Sequence, residues 1–165
     1  MSIVDALLPE FDHEIATTRT LLARVPDGRN DWAPHPKASS LEKLAGHIAI
    51  LPGWGEATLA HDSVDLATMP PPAPLTTREA WLGAFDATSA AMRAALVGRT
   101  DAELMATWSL KRDGQVIFSM PRVAVLRSFF MNHLIHHRGQ LSVYLRALDV
   151  ALPAIYGPSA DEGAF

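Results

Sequence analysis

Apolar residues recur at steps of three and four along most of the chain, the period of helices with one buried face. From Ser2 to about Val25 the positions Ile3, Leu7, Phe11, Ile15, Thr18, Leu22 and Val25 define a first helix, with Ser2 as N-cap and Pro26-Asp27-Gly28 as the stop. Pro9 predicts a kink or a later start there. Ser39-x-x-Glu42 reads as a capping box opening a second helix that buries Leu41, Leu44, Ala45, Ile48 and Leu51 and is disturbed at Pro52-Gly53. Thr76-x-x-Glu79 reads as another, before a stripe of Trp81, Phe85, Ala91, Met92 and Leu96 that ends at Gly98. The last helix starts at Pro121 and runs to about Leu148, with the seam Leu126, Phe130, His133, His137, Leu141, Tyr144 and Leu148.

Between these four helices the pattern changes twice. Met69-Pro70-Pro71-Pro72-Ala73-Pro74 is a stiff extended connection. Thr107 to Phe118 alternates around Arg112-Asp113-Gly114, a short hairpin that must lie on the helices because an isolated one is marginal. Asn30 to Ser40, with two prolines and Trp32, reads as a loop folded over one end of the core. In the tail, Ile155 and Tyr156 are expected to pack back, and Asp161 to Phe165 to fray. The fold class is all-α with a short β-hairpin before the last helix, as one domain over residues 1–165.

Composition narrows the function. With 165 residues and 48% hydrophobic content, the chain can build one continuous core. A net charge of -4 without a basic cluster gives no footprint for nucleic acid. There is no cysteine, which excludes disulfides, thiolate ligands and a cysteine nucleophile, so any metal must be held by nitrogen and oxygen. No apolar run approaches a membrane span and the first residues lack a signal pattern, so the expected compartment is the cytoplasm.

Three of the seven histidines fall within five residues of the last helix. His133 and His137, at i and i+4, stack on one face and can grip one ion, with His136 at the edge of the seam. Imidazole-rich catalytic sites usually take three protein ligands and a water. His47, on the apolar face of the second helix beside Ala45 and Gly46, small residues expected to let a neighbouring helix come close, is the natural third. Its bland alternative is a hydrogen-bonded core histidine. His13 reads as a surface or rim residue, His35 as loop-packing or exposed, and His61 as interacting with terminal carbonyls or solvent. Arg138 could hold an anionic substrate or pair with an acid between helices, and Gly139 could permit a close helix contact; the structural role is favoured for both. Among the acids nearby, Asp12, Glu14 and Glu42, none is named as a general base.

The segments EKLAGH ending at His47, NHLIHHRGQLSVYLR from Asn132, LPAIYGPS from Leu152 and DWAPHPKASS from Asp31 together resemble the DinB family, in the order expected and over most of the chain. That resemblance implies an up-down-down-up four-helix bundle with a long crossover between the second and third helices. It also implies a divalent metal on His47, His133 and His137, a homodimer, and chemistry of the thiol-dependent transferase or isomerase type. The expected function is a metal-dependent enzyme, a transferase or hydrolase with an open water position, possessing Zn or Ni as the ion and a small molecule or thiol as partner. The competing expectation is a metal-stabilised protein that binds a small ligand or a partner without turnover.

Overall fold

The computed structural model describes residues 1–163; Ala164 and Phe165 lie outside the described residues, and with them part of the expected fraying tail. Helix α1 (Ile3–Leu22) opens on a capping box between Ser2 and Asp5 and carries Pro9 in its interior. Pro9 is exposed, so the backbone carbonyl deprived of its donor faces water and the helix continues. Helix α2 (Leu41–Ile50) is capped by Ser40, whose hydroxyl accepts from the Lys43 amide, one residue later than the expected Ser39. α3 (Pro52–Ala60) follows at once, with Pro52 at its first position, where a missing N–H costs nothing. α4 (Arg78–Leu96) is capped by Thr77, again one residue later than expected, and Gly98 (φ +80°) ends the run. Within it Ser89 is buried and Ala91 exposed, the reverse of the expected stripe.

After a short α5 (Asp101–Met105) come β2 (Thr107–Arg112) and β3 (Gln115–Pro121), joined by Asp113 (φ +51°) and Gly114 (φ +75°). Two successive left-handed residues make the tight turn that Asp-Gly favours. The sheet has a third strand not anticipated from sequence, β1 (Ser63–Asp65), parallel to β2, giving the order β1-β2-β3. Three residues are too short for a periodic signal. Asp65 fixes this strand by accepting from the amides of Asp113 (3.0 Å), Gly114 (2.7 Å) and Ala67 (2.9 Å).

The last helical run has three parts: α6 (Arg122–Ala124), a π-helical stretch (Val125–Met131) and α7 (Asn132–Ala147). Its buried stripe is Leu126, Phe130, Met131, Leu134, Arg138, Leu141 and Leu145. This corrects the expected seam: His133, His137 and Tyr144 are half-buried on a neighbouring stripe at the edge of the core.

α1 and α2 each pack on both α4 and α7, and α3 packs on α4 and the π-helical stretch, so one core of Phe11, Leu21, Leu44, Ile48, Trp81, Phe85, Leu126, Phe130 and Leu141 lies between them. A second cluster, Trp108, Leu110 and Val125, seats the sheet against the π-helical stretch. Gly55 makes the close approach between helices: a Cβ there would lie 2.6 Å from Met92 Sδ and 3.1 Å from Phe130. The expected close contacts at Gly46 and Gly139 are absent; the nearest atom to a Gly46 Cβ would be Trp81 Nε1 at 3.9 Å, and Gly139 faces open space.

Arg138 is 1% exposed and pairs with Glu14 (5% exposed) at 2.6 Å, which is the ion pair between helices expected of it. Its guanidinium also donates to Tyr156 Oη at 2.5 Å, and that hydroxyl lies 2.8 Å from both Glu14 oxygens. The tail is thereby tied down, and Asp161 and Glu162 pair with Arg146 and Arg24 instead of fraying. Among the described residues no helix is long and apolar enough to cross a membrane.

Candidate metal centre

On α2 and α7, packed side by side, His47 meets His133 and His137. His133 Nε2 lies 2.8 Å from His137 Nε2 and 3.4 Å from His47 Nε2, and one nitrogen from each ring falls within 4.8 Å of the other two. The His47 ring stands edge-on to His137 at 89°. The structure thus brings together the three residues singled out in the sequence. His136 and His13 do not join them. His136 is exposed beside the His137 ring, and His13 stacks on Tyr156 with centroids 6.4 Å apart. His35 is exposed, its Nδ1 accepting from the Lys37 amide, and His61 is exposed at the end of α3.

Gln140 Oε1 sits 2.7 Å from His137 Nδ1 and, as a carbonyl oxygen, accepts its hydrogen bond. His137 Nε2 is thereby left with a lone pair facing His133 Nε2 at 2.8 Å. Three imidazole nitrogens this close together are a donor set that suits one divalent ion. Gln140 is thus the outer partner that fixes the His137 ring.

Burial disfavours protonation of all three rings. Burial first, then the neighbouring imidazoles of His137 and His133, push His47 down from 6.5 to about 4. Burial also lowers His133, reinforced by His137 and His136, and lowers His137 against the opposing effect of its hydrogen bond to Gln140. Neutral imidazole is the form that ligates.

Besides a cavity of about 440 Å³ that touches His133 beside Phe129 and His136, two cavities open on His47. One, of about 280 Å³, is bounded by Glu42, Lys43, Gly46, His47 and Ile50 of α2 and by Pro72–Leu75 of the crossover, which Trp81 Nε1 anchors by donating to the Leu75 carbonyl (2.7 Å). Its wall continues into an apolar trench of Trp54, Ala57, Met69 and Ala84. The other, of about 320 Å³, reaches His47 and His137 beneath Lys37, Ser39, Lys43, Gln140 and Tyr144. The loop carrying Lys37 is held there by Tyr144 Oη donating to the Ser39 carbonyl (3.1 Å) and by Trp32 packing edge-on to Tyr144. Of the three acids considered near the site, Glu42 lines the first cavity, Asp12 pairs with Arg93 and Glu14 with Arg138. Sequence reasoning missed the crossover wall and both lysines. The available signal was the rarity of lysine, three in the whole chain, two of them within eleven residues of His47.

Comparisons place this arrangement among known proteins. A DinB-like protein from Bacillus cereus ATCC 10987 superimposes with a TM-score of 0.72 over 94% of this chain and 98% of its own, at 23% identity. The DinB-like protein YjoA of Bacillus subtilis gives 0.67 over 87% and 92%, at 18% identity. The uncharacterized protein YrdA of Bacillus subtilis strain 168 is 42% identical over 45 residues, which is 27% of this chain and 26% of that protein. At those identities the solved structures share the fold. The DinB family model matches residues 1–164, and the chain therefore belongs to the DinB family.

Proposed function

We propose that His47, His133 and His137 hold one divalent ion, Zn or Ni, with positions left open for water or a thiol, and that the protein is a metal-dependent enzyme of the thiol-dependent transferase or hydrolase type. The observation that carries this is the convergence of three Nε2 atoms with no fourth His, Asp or Glu in the group among the described residues. When bound, the ion supplies Lewis-acid chemistry, lowering the pKa of a water or thiol ligand toward neutrality. The chain itself orients the His137 imidazole through Gln140, disfavours protonation of the rings by burial, and walls the site with the crossover and the loop before α2.

The apolar trench beside the triad supports a second reading, a metal-stabilised small-ligand binder without turnover. Azide or 2-mercaptoethanol added to Co(II)-loaded protein separates a closed from an exchangeable centre: an altered visible spectrum supports the open position, and an unchanged one removes it. The cyclic packing of α1, α2 with α3, α4 and α7 supports the up-down-down-up four-helix bundle, with 61–77 as its crossover. A homodimer is the proposed assembly, measurable by light scattering.

A further inference from the structure

Arginine and lysine are distributed very differently here. Of the eleven arginines, nine make ion pairs. Lys37 and Lys43, two of only three lysines, line the cavity of about 320 Å³ that ends on His47 and His137, and neither pairs with an acid among the described residues. No Asp or Glu lines that cavity; Lys43 also borders the neighbouring one, where Glu42 lies.

The remaining polar groups of the cavity are donors as well. Gln140 has spent its carbonyl oxygen on His137 Nδ1, which leaves its amide N–H groups for a ligand. The Ser39 carbonyl is taken by Tyr144, and its hydroxyl, which makes no hydrogen bond among the described residues, remains free to donate. Two ammonium groups, an amide and a hydroxyl without a carboxylate make a pocket that prefers negative oxygen, in a protein of net charge -4 that otherwise repels it.

We propose that this cavity is an oxyanion subsite: the substrate or thiol carries a carboxylate or phosphate that Lys37 and Lys43 hold while its reacting group reaches the His47 and His137 side of the triad. The placement of the reacting group rests on the metal-centre reading above; the anion site itself rests on the cavity. Ammonium groups act as point charges without the planar fork of arginine, so they accept an oxyanion of either geometry.

The test has two arms. Metal-stripped protein is titrated with succinate and with inorganic phosphate, following the Gln140 side-chain amide by NMR. Saturable binding of either, lost in Lys37→Gln/Lys43→Gln, is expected, and the tighter probe identifies the oxyanion. Co(II)-loaded protein is then titrated with 3-mercaptopropionate and 2-mercaptoethanol, read from the thiolate-to-cobalt band. The anionic thiol is expected to bind about tenfold more tightly, falling to about twofold in the double variant and at high salt. No saturable binding, or a preference that survives loss of both lysines, overturns the subsite. Intact succinate or phosphate binding without any thiol band supports the subsite and overturns the open metal centre instead.

Discussion

At the scale of single residues, Arg138 decides how the last helix is read. Leu134, Arg138, Leu141 and Leu145 follow three-and-four steps, as do His133, His137, Leu141, Tyr144 and Leu148, and a charged residue on the first stripe favours the second when only hydropathy is weighed. The structure buries the first stripe because Glu14 neutralises Arg138 and Tyr156 satisfies it, partners 124 and 18 residues away that no local pattern reveals. Breaking a buried pair leaves an uncompensated charge. Arg138→Met is expected to cost about 3–5 kcal/mol in urea unfolding, with Glu14→Leu/Arg138→Met recovering most of it. A loss below about 1 kcal/mol in the single variant would mean that the pair is solvated.

At the scale of elements, helix existence and the Asp-Gly hairpin were legible, because periodicity and turn chemistry are local. Cap positions fell one residue early at Ser39 and Thr76 because each capping pattern adjoins a second hydroxyl residue, Ser40 and Thr77, and the choice depends on backbone angles. The π-helical stretch and β1 left no readable trace. The former matters most for the site, since an extra residue per turn before Asn132 helps set which face of α7 turns inward. Close packing was also misplaced, at Gly46 and Gly139 instead of Gly55, because distance between helices depends on where they cross. Gly55→Val forces Met92 and Phe130 apart and should destabilise by about 1–3 kcal/mol, measured by thermal unfolding. Gly139→Ala, facing open space and gaining helix propensity, should stabilise slightly.

At the scale of the whole molecule, the triad exists only because α2 packs on α7. His133 and His137 were visible as a local pair, but their meeting with His47 is a fact of topology, anticipated through the resemblance and the lone histidine on an apolar face. Assembly has a proton cost: the folded His47 titrates near 4 and the unfolded one near 6.5, so between those values the unfolded chain binds the extra proton. Stability of the metal-free protein should therefore fall as pH drops from about 6.5 toward about 4. A urea midpoint that is lower at pH 5 than at pH 7, with a smaller difference in His47→Gln, is expected; a midpoint independent of pH would contradict the burial of a neutral ring. The central claim is most directly tested by metal content, measured by mass spectrometry on protein purified without a histidine tag. About one divalent ion per chain in wild type and in His136→Ala, and none in His47→Ala, His133→Ala or His137→Ala, is the predicted result. Wild-type protein that cannot be loaded, or loss of the ion only in His136→Ala, would contradict it.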